Sequence, residues 1–583
     1  MTDMDARRSR LASFGRMGGW GDRPVPPTDE RHPHARVLAD FFARKAGAAG
    51  RSPRQYADRL ERLLSDLLTA QDNGHVCLTL GETSRAWLEK LTGLHQPAGE
   101  APLVLEEDRL YFQRLWQYEE RLVAGLHRLT NEDTGGRSGL LRECAGMRDL
   151  TPLLRELSRA AGLDDSQMDA VRRAAASRFF IITGGPGTGK TTTVIQLLAL
   201  LLWVGATGRS ILPKVALAAP TGKAAQRLQE TIGERIDALP VPESVKQAIP
   251  DEATTLHRLL GARPDTVSLR HDAQRPLPYA VVVVDEASMV DLALMSKLVQ
   301  ALPSDARLYL LGDRDQLASV EAGSVLADLC DGLPDHTHRL VRTHRFAAEL
   351  QDLAAALQRG DAAGVMARLR RDRLWLKHLQ DFWDAVDEGY TAYWEAVHDG
   401  AEPAALMDVF GGFQVLCAHR RGPLGSEWLN DQLERRWRQR GWIPSRNASS
   451  QEGRFYPGRP VLIGENVPEL GLFNGDIGIC LAGGRVWFGD GRQLAAARLP
   501  RHETVYAQTC HKSQGSEFDR VLVVLPPKSS EILTRELIYT AVTRAKETIL
   551  LWGGEEVLEQ AVTRGIRRSG GLRRKLQCEG QSY

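Results

Sequence analysis

The sequence predicts an α/β protein with two lobes built on parallel sheets, an α-rich amino-terminal domain and a small β-barrel insertion. Short, wholly apolar runs alternate with longer helical segments after Phe179, and the same alternation returns after Phe413. Continuous apolar runs are typical of strands that are buried on both faces of a parallel sheet. The chain has 583 residues, and at roughly 150 residues per domain it is long enough for about three or four domains.

Composition excludes two classes of protein. Hydrophobic residues make up 43% of the chain and charged residues 26%, so the chain can bury sizeable cores and is not disordered as a whole. Lys and Arg number 75 against 74 Asp and Glu, which gives a formal net charge of +1. This balance excludes a protein that is basic throughout, such as a histone-like DNA coat, but leaves local basic grooves open.

Cysteine usage and the apolar stretches predict a cytoplasmic protein. The 7 cysteines are scattered without a C-x-x-C pair or a Cys/His cluster, so neither a disulfide framework nor structural zinc is expected. No secretory signal is apparent in MTDMDARRSR. The longest apolar stretch, Val194 to Ala206, is too short to span a bilayer and predicts a buried helix.

Helical patterning dominates the first part of the chain. Apolar residues recur at helical spacing from Val37 to Leu68 and from Leu110 to Leu129. The segment 131–139 (NEDTGGRSG) then turns to Gly, Ser, Thr and charge, as linkers do. We therefore predict an α-rich domain over residues 1–135.

The apolar runs define the two lobes. The first lobe is expected over residues 150–350 and the second over 351–555. Residues from about 450 to 503 are rich in Gly and short alternating segments, which favours a β-barrel within the second lobe. Residues 556–583 form a basic carboxyl-terminal tail, whose cations are expected to be solvated. The apolar runs begin at Phe179, Val215, Val281, Leu308, Phe413, Val521 and Thr548.

A glycine-rich segment follows the first apolar run. It matches G-x-x-x-x-G-K-[ST] and opens a helical segment, which is the context that a phosphate-binding loop needs. Its glycines let backbone N–H groups surround a phosphate, Lys190 neutralises β- and γ-phosphate charge, and the Thr191 hydroxyl is a ligand for Mg²⁺. The pattern predicts binding of a nucleoside triphosphate. The segment consists of Gly184, Gly185, Pro186, Gly187, Thr188, Gly189, Lys190 and Thr191.

Two carboxylates follow the four-valine run. Asp285 and Glu286 stand at the carboxyl end of a predicted buried strand, where an α/β sheet places ligand-binding residues. Asp285 is suited to hold Mg²⁺ through water, and Glu286 to polarise the attacking water as general base.

Seven segments follow one another in a fixed order after the glycine-rich loop. They are APTGKAA at Ala219, TLHRLLG at Thr255, DEASMVD at Asp285, LGDRDQ at Leu311, RTHR at Arg342, TCHKSQGSE at Thr509 and YTAVTRAK at Tyr539. These seven resemble the ordered helicase motifs of superfamily 1. Four further segments are GHVCLTL at Gly74, LYFQRLWQYEERL at Leu110, LCAHRRGPLGSEWLN at Leu416 and LFNGDIGI at Leu472. With them, the chain resembles the RecD family, the alpha subunits of the bacterial RecBCD complex (exodeoxyribonuclease V), over nearly its whole length.

The resemblance implies two RecA-like motor lobes, an SH3-like insertion, and ATP and Mg²⁺ as cofactors. It implies an ATP-dependent DNA helicase of 5′ to 3′ polarity, bound to RecC through the amino-terminal domain and to RecB. It further implies roles in double-strand break repair, recombination and degradation of linear duplex DNA, with exonuclease activity only in the holoenzyme. Two alternatives stay open: a non-catalytic interaction subunit, and a stand-alone RecD-like helicase.

The resemblance also assigns roles to single residues. Gln167 would recognise adenine, with Thr192 and Glu517 also at the nucleotide, and Gln316 would sense the γ-phosphate. Arg345 and Arg544 would stabilise charge on the transferred phosphoryl group, for which a fixed planar guanidinium is suited. Without the flanking motifs, a surface Gln167, a loop Gln316 and salt-bridged arginines remain the alternatives.

Nucleic-acid contacts are expected at the tops of sheet strands, where hydroxyls, imidazoles and backbone amides suit a single-strand backbone. Trp375, Trp428 and Trp437 lie among arginines, and core packing is favoured over DNA contact for them. The DNA-binding candidates are Pro220, Thr221, Lys223, His257, Arg258, Thr509, His511, Lys512 and Ser513.

Overall fold

The computed structural model describes residues 32–45, 53–89, 101–131, 151–208, 212–263, 266–343, 348–444 and 454–578. These residues fall into two compact units. Within the described ranges, the first unit comprises residues up to 314 together with 318–342 and 567–578, and the second comprises 315–317 and 343–566. Among the described helices, none combines the length and apolarity that a membrane span requires.

In the described residues, the amino-terminal part of the first unit contains four helices and a three-stranded antiparallel sheet of order β1-β3-β2. The sequence predicted helix from Leu110 onward, but Arg109–Phe112 is a strand, joined to Leu103–Glu106 by a two-residue turn. Of the predicted linker, only Asn131 lies within the described residues. The elements are α1 (Ala35–Lys45), α2 (Pro53–Asp72), β1 (Leu78–Thr79), α3 (Glu82–Leu88), β2 (Leu103–Glu106), β3 (Arg109–Phe112) and α4 (Gln113–Asn131).

The centre of the first unit is a six-stranded parallel sheet of order β11-β4-β10-β9-β5-β6. Strands β4, β5, β9 and β10 are wholly buried, as their continuous apolar runs predicted. The strands are β4 (Phe179–Gly184), β5 (Val215–Ala219), β6 (Ala253–Thr255), β9 (Val281–Val284), β10 (Arg307–Gly312) and β11 (Thr337–Leu340). The helices are α5 (Thr151–Ala161), α6 (Asp165–Ala176), α7 (Lys190–Gly208), α8 (Gly222–Ile236), α9 (Glu243–Lys246), α10 (Leu256–Leu259), α11 (Leu292–Ala301) and α12 (Val325–Gly332).

Separate cores cover the two faces of this sheet. On one face, α5, α6 and α7 pack against residues such as Phe180 and Val283. On the other, α11 and α12 pack together with α4 of the amino-terminal part. Arg128 at the end of α4 donates to the carbonyls of Val299 and Leu302 at the end of α11, where a cation also compensates the helix dipole. The amino-terminal part and the sheet therefore share one hydrophobic core.

A short antiparallel hairpin projects between α10 and β9. Strand β7 (Ala262–Arg263) pairs with β8 (Thr266–Leu269), and residues 264–265 between them lie outside the described residues. The hairpin lies in the first half of the polar segment 262–278.

The carboxyl-terminal segment (567–578) corrects the expectation of a solvated basic tail. Helix α20 (Leu572–Cys578) packs on α12 and α4, and Leu572 and Leu576 are buried in the core that these helices share. Lys575 is also buried, close to the carboxylates of Glu119 and Glu120. A pattern of charge alone could not predict this, because the partners are acidic residues far away in the sequence.

The second unit is built on a five-stranded parallel sheet of order β12-β21-β20-β13-β19. Trp375 and Trp437 are buried in different cores of this unit, and Trp428 packs against the core that contains Trp437, so the expectation of core packing is confirmed. The strands are β12 (Trp375–Leu376), β13 (Phe413–Cys417), β19 (Ala507–Thr509), β20 (Phe518–Val524) and β21 (Ala545–Trp552). The helices are α13 (Ala348–Gln358), α14 (Ala362–Arg371), α15 (Leu379–His398), α16 (Pro403–Gly411), α17 (Ser426–Gln439), α18 (Arg535–Val542) and α19 (Glu555–Thr563).

The predicted β insertion is an antiparallel sheet of order β17-β16-β15-β14-β18. In the described residues, β17 and β18 are its two edges and are not paired with each other, so closure into a barrel is not shown. Its last strand leads through Val505 and Tyr506 directly into β19 of the parallel sheet. The strands are β14 (Pro460–Ile463), β15 (Ile477–Leu481), β16 (Arg485–Phe488), β17 (Gln493–Ala495) and β18 (His502–Thr504).

Candidate nucleotide and nucleic-acid sites

The glycine-rich loop connects the buried strand β4 to helix α7 in the first unit. Gly187 and Gly189 have φ values of 73° and 79°, a backbone region that side chains rarely adopt. Thr188 is buried, and its hydroxyl donates to the Gly185 carbonyl over 2.8 Å. The loop therefore has the bent backbone that encloses a phosphate at the start of a helix.

Lys190 begins helix α7. Its Nζ donates to the carbonyls of Gly184 (2.7 Å) and Gly185 (3.1 Å). The cation also opposes the rise in the pKa of Asp285 that burial causes. The ammonium group thus lies over the loop, where it was predicted to bind phosphate. Thr191 and Thr192 follow it in the first turn of the helix and are half-buried.

Gln167 lies against this loop. Its side chain completes a capping box at the start of α6, because Oε1 accepts from the Asp164 amide while Asp164 Oδ1 accepts from the Gln167 amide. Its Nε2 donates to the Thr188 carbonyl over 3.0 Å. The alternative of a surface glutamine is therefore wrong, since the side chain is 3% exposed and bonded to the loop.

Asp285 and Glu286 follow β9, which is separated from β4 by β10 alone. Desolvation by burial and the neighbouring Glu286 carboxylate raise the pKa of Asp285 to about 6, and the Lys190 and Arg227 cations oppose that rise. Glu286 has a left-handed backbone (φ 50°, ψ 40°), which costs free energy for a residue with a side chain. The two carboxylates thus lie at the same end of the sheet as the loop.

The segment after β10 spans both units. Arg314, in the first unit, donates its amide to the Thr183 hydroxyl and pairs with Asp331. Gln316, in the second unit, lies in this loop and is 6% exposed, so its side chain is packed inside the protein.

Asp315 and Leu317, on either side of Gln316, form hydrogen bonds with three residues that the sequence did not single out. The Leu317 amide donates to the Thr540 hydroxyl over 2.9 Å, and Gln514 donates to the Leu317 carbonyl over 3.1 Å. Gln358 donates to the Asp315 carboxylate over 3.0 Å. Gln514 and Thr540 belong to quoted motifs, so their motif membership was a usable signal, whereas Gln358 lies in an ordinary helix.

Arg345 and Arg544 were predicted to stabilise phosphoryl charge, and the structure describes only the second of them. Arg345 lies outside the described residues. Arg544 is 2% exposed and donates to the carbonyls of Thr540 (3.2 Å) and Ser516 (3.1 Å) within the second unit. It is therefore not an ordinary surface salt-bridge arginine. Glu517, which follows Ser516 in the chain, is half-buried.

The nucleic-acid candidates of the first unit lie at the ends of β5 and β6. Pro220 and Thr221 follow β5, and the Thr221 hydroxyl caps helix α8 by accepting from the Ala224 amide. Lys223 is half-buried in the first turn of α8. His257 and Arg258 are exposed on the short helix α10, which follows β6. Because β5 and β6 are parallel neighbours, these five residues share one edge of the sheet.

The candidates of the second unit follow β19. Thr509 is buried and its hydroxyl accepts from the Lys512 amide, while the fully buried Ser513 donates to the Cys510 carbonyl over 2.8 Å. Both hydroxyls thus stabilise the turn itself. His511 and Lys512 are half-buried. The Lys512 ammonium is paired with the carboxylate of Glu503, a residue that the sequence analysis did not single out.

These groups fit a nucleoside triphosphate with Mg²⁺. The loop offers an ammonium and backbone amides for phosphate, and the Thr191 hydroxyl and the Asp285 carboxylate are the oxygen ligands that Mg²⁺ prefers. Glu286 supplies a second carboxylate that is suited to orient water.

Two family models match the chain. Residues 167–322 match a model described as an AAA domain, and residues 504–551 match one described as a UvrD-like helicase C-terminal domain. The first match begins at Gln167 and includes the loop and both carboxylates.

Curated relatives cover most of the chain. It is 40% identical to RecBCD enzyme subunit RecD of Mycolicibacterium smegmatis, over 85% of this chain and 87% of that protein. It is 34% identical to the RecD subunit of Haemophilus influenzae, over 82% of this chain and 81% of that protein. The ATP-dependent RecD2 DNA helicase of Deinococcus radiodurans is 34% identical over 69% of this chain, but only 51% of that protein is covered.

Proposed function

This chain belongs to the RecD family of superfamily 1, whose members are ATP-dependent DNA helicases, and we propose that it is the 5′ to 3′ motor subunit of a RecBCD-type helicase–nuclease. The observation that carries this proposal is the glycine-rich loop, with Lys190 held over it and two carboxylates at the same end of the sheet. The motor would act in double-strand break repair, in recombination and in degradation of linear duplex DNA, in the cytoplasm.

The proposed ATP site divides its work among a few side chains. Lys190 binds the β- and γ-phosphates, and Thr191 and Asp285 hold Mg²⁺, which neutralises phosphate charge when bound. Glu286 orients the attacking water and accepts its proton. Gln167 binds adenine and Gln316 senses the γ-phosphate. Because the capping bond of Gln167 uses only its Oε1, the Nε2 group can exchange its bond to the Thr188 carbonyl for a bond to the base.

We propose that Arg345 and Arg544 stabilise charge on the transferred phosphoryl group. For Arg544 this requires one of its present bonds, to Thr540 or Ser516, to be exchanged for a phosphate oxygen. Glu517, which follows Ser516 in the chain, is also proposed to contact the nucleotide.

DNA binding is proposed at the two sheet edges that carry Pro220, Thr221, Lys223, His257 and Arg258 in one unit and Thr509, His511, Lys512 and Ser513 in the other. Backbone contacts of this kind give a grip that is independent of sequence. A motor needs such a grip to move along any strand.

The partners are proposed from the relatives. RecC would bind through residues 1–135 and RecB would complete the heterotrimer, with exonuclease activity belonging to that holoenzyme. We also propose that the insertion has an SH3-like form. A stand-alone RecD2-like helicase is the weaker candidate, because this chain covers only 51% of the matched RecD2 protein.

The proposal is tested by ATP hydrolysis and by unwinding of duplexes with a 5′ or a 3′ overhang, with the chain alone and after mixing with RecB and RecC. Lys190→Gln should lower DNA-stimulated ATP hydrolysis by about 100- to 1000-fold, as expected when a charge-stabilising donor is lost. Lys377→Gln removes the same charge at an exposed position and should leave hydrolysis unchanged.

Two results would contradict the proposal. If Lys190→Gln hydrolysed ATP as fast as wild type does, the alternative of a non-catalytic interaction subunit would be favoured. Unwinding that requires a 3′ overhang would overturn the polarity while leaving the motor in place.

A further inference from the structure

Two cations of the second unit lie at the edge of the sheet where a ligand is expected. Arg420 comes three residues after β13, and Lys512 comes three residues after β19. These strands are parallel neighbours, so their carboxyl ends meet at one edge. The carboxyl edge of a parallel sheet is where α/β proteins bind ligands.

A single carboxylate joins these two cations. Glu503 forms an ion pair with the Lys512 ammonium, and its Oε2 lies 3.2 Å from Arg420 Nη2. Arg420 also pairs with a second carboxylate, since its Nε lies 2.9 Å from Glu427 Oε1. For Lys512, the ion pair that the structure shows is the one with Glu503.

The direction of Glu503 is determined by the insertion. In β18, successive side chains point to opposite faces. Glu503 is opposite Leu462, which packs into the aromatic core of the parallel-sheet lobe, while His502 and Thr504 are opposite Ile463 and Val461 in the small core of the insertion. The carboxylate is therefore supplied by the insertion and faces the lobe.

The pair is accessible enough to be exchanged. The side chains of Lys512 and Glu503 are 30% and 23% exposed, so water and salt reach both charges. A carboxylate in this position makes the same charge-assisted bond to an ammonium that a phosphate oxygen would make. DNA phosphate and Glu503 would therefore compete for Lys512.

We propose that Glu503 is a positioning residue that occupies Lys512 when no DNA phosphate is present, and so weakens the grip on single-stranded DNA. The inference rests on the proposed contact between Lys512 and DNA. A motor that advances must release each phosphate it has held, and a built-in competitor for the ammonium speeds that release. The β insertion thereby sets the strength of the grip.

The test is the affinity of the full chain for fluorescent oligo-dT, measured by anisotropy without nucleotide across a KCl series. Glu503→Gln should bind several-fold more tightly at low salt, and its slope of log Kd against log [KCl] should be steeper than that of wild type, because salt screens the Lys512–Glu503 pair that wild type must break before Lys512 binds phosphate. A merely structural loss would not steepen this slope. Glu469→Gln makes the same charge change at an exposed position of the insertion and should bind as wild type does.

A second variant separates the inference from its premise. Lys512→Ala should weaken binding, and Lys512→Ala with Glu503→Gln should bind no more tightly than Lys512→Ala alone. If Lys512→Ala binds as wild type does, the proposed DNA contact fails. If Lys512→Ala weakens binding but Glu503→Gln leaves the affinity and slope unchanged, or if the double variant keeps the whole gain, the competition by Glu503 is overturned.

Discussion

Gly189 is required in the glycine-rich loop for two reasons, the conformation of its backbone and the close approach of a neighbouring side chain. Its φ of 79° lies in the left-handed region, and a Cβ there would lie 2.2 Å from Gln167 Nε2. The residue is therefore held to glycine twice, by its own backbone and by the side chain bonded to the Thr188 carbonyl. The consensus spacing predicted the glycine, but only the fold shows which side chain approaches it.

Gly189→Ala should therefore weaken nucleotide binding. A side chain in the left-handed region costs about 1–2 kcal/mol, which corresponds to roughly 5- to 30-fold in an equilibrium constant. We expect the KM for ATP in DNA-stimulated hydrolysis to rise by that factor, because the loop must keep its bend to bind phosphate.

Gly233→Ala is the matched control. Gly233 lies within helix α8 and an added Cβ there meets open space, so alanine should leave the KM unchanged and raise the thermal unfolding midpoint slightly. An unchanged KM in Gly189→Ala would show that the bend is not required for binding.

At the scale of elements, helices α4, α12 and α20 enclose a network of charges. Lys575 on α20 lies 3.2 Å from Glu119 and 2.8 Å from Glu120, and its ammonium lies over the rings of Tyr111 and Trp116. Burial raises the pKa of Glu119, and the Lys575 cation opposes that rise. Lys575 and Glu119 are both buried, so their charges interact with little water around them.

Asp328 on α12 makes this network sensitive to pH. Burial, with the Glu119 and Asp331 carboxylates, raises the pKa of Asp328 to about 7, against 3.8 for an ordinary aspartate. The folded protein thus binds more protons than the unfolded chain between these values, so its stability falls as the pH rises from about 4 to about 7. Asp328→Asn should remove that loss, which amounts to at most about 4 kcal/mol.

The measurement is the thermal unfolding midpoint at pH 5 and pH 8. The midpoint of Asp328→Asn relative to wild type should be higher at pH 8 than at pH 5. Asp305→Asn, at an exposed position of the same unit, should show no such difference. Equal differences at both pH values would show that Asp328 is ionised in the folded protein throughout.

Elements whose chemistry is local in sequence could be predicted, and those completed from far away could not. The glycine-rich loop is eight consecutive residues between an apolar strand and a helix. By contrast, the Gly571 amide donates to Glu119, 452 residues earlier, so nothing near position 571 indicates its partner. Glu503 is only 9 residues from Lys512 in the sequence. It was missed for a different reason, since the direction of its side chain depends on the pairing of β18.

At the scale of the whole chain, the two ends of the described sequence meet in the first unit. The amides of Val76 and Cys77 donate to the Ser569 carbonyl, and the Ser569 amide donates to His75. Arg568 donates to the carbonyls of Glu321 and Gly323. The carboxyl-terminal segment therefore bonds to the amino-terminal part and to the loop before α12 at once, after the chain has passed through the second unit.

Removal of the carboxyl-terminal segment should therefore loosen the amino-terminal part and leave the second unit intact. A chain that ends at Ile566 loses Leu572 and Leu576 from the shared core and leaves Glu119 without Lys575. Limited trypsin digestion followed by mass spectrometry should show cleavage within residues 32–131 several-fold faster than in the full chain, with cleavage within 348–566 unchanged.

A chain that ends at Cys578 retains all of these contacts and should be cut as the full chain is. Equal cleavage of 32–131 in all three proteins would show that α4 on α11 is sufficient to hold the amino-terminal part, whereas faster cleavage of both regions would show that the segment stabilises the second unit as well.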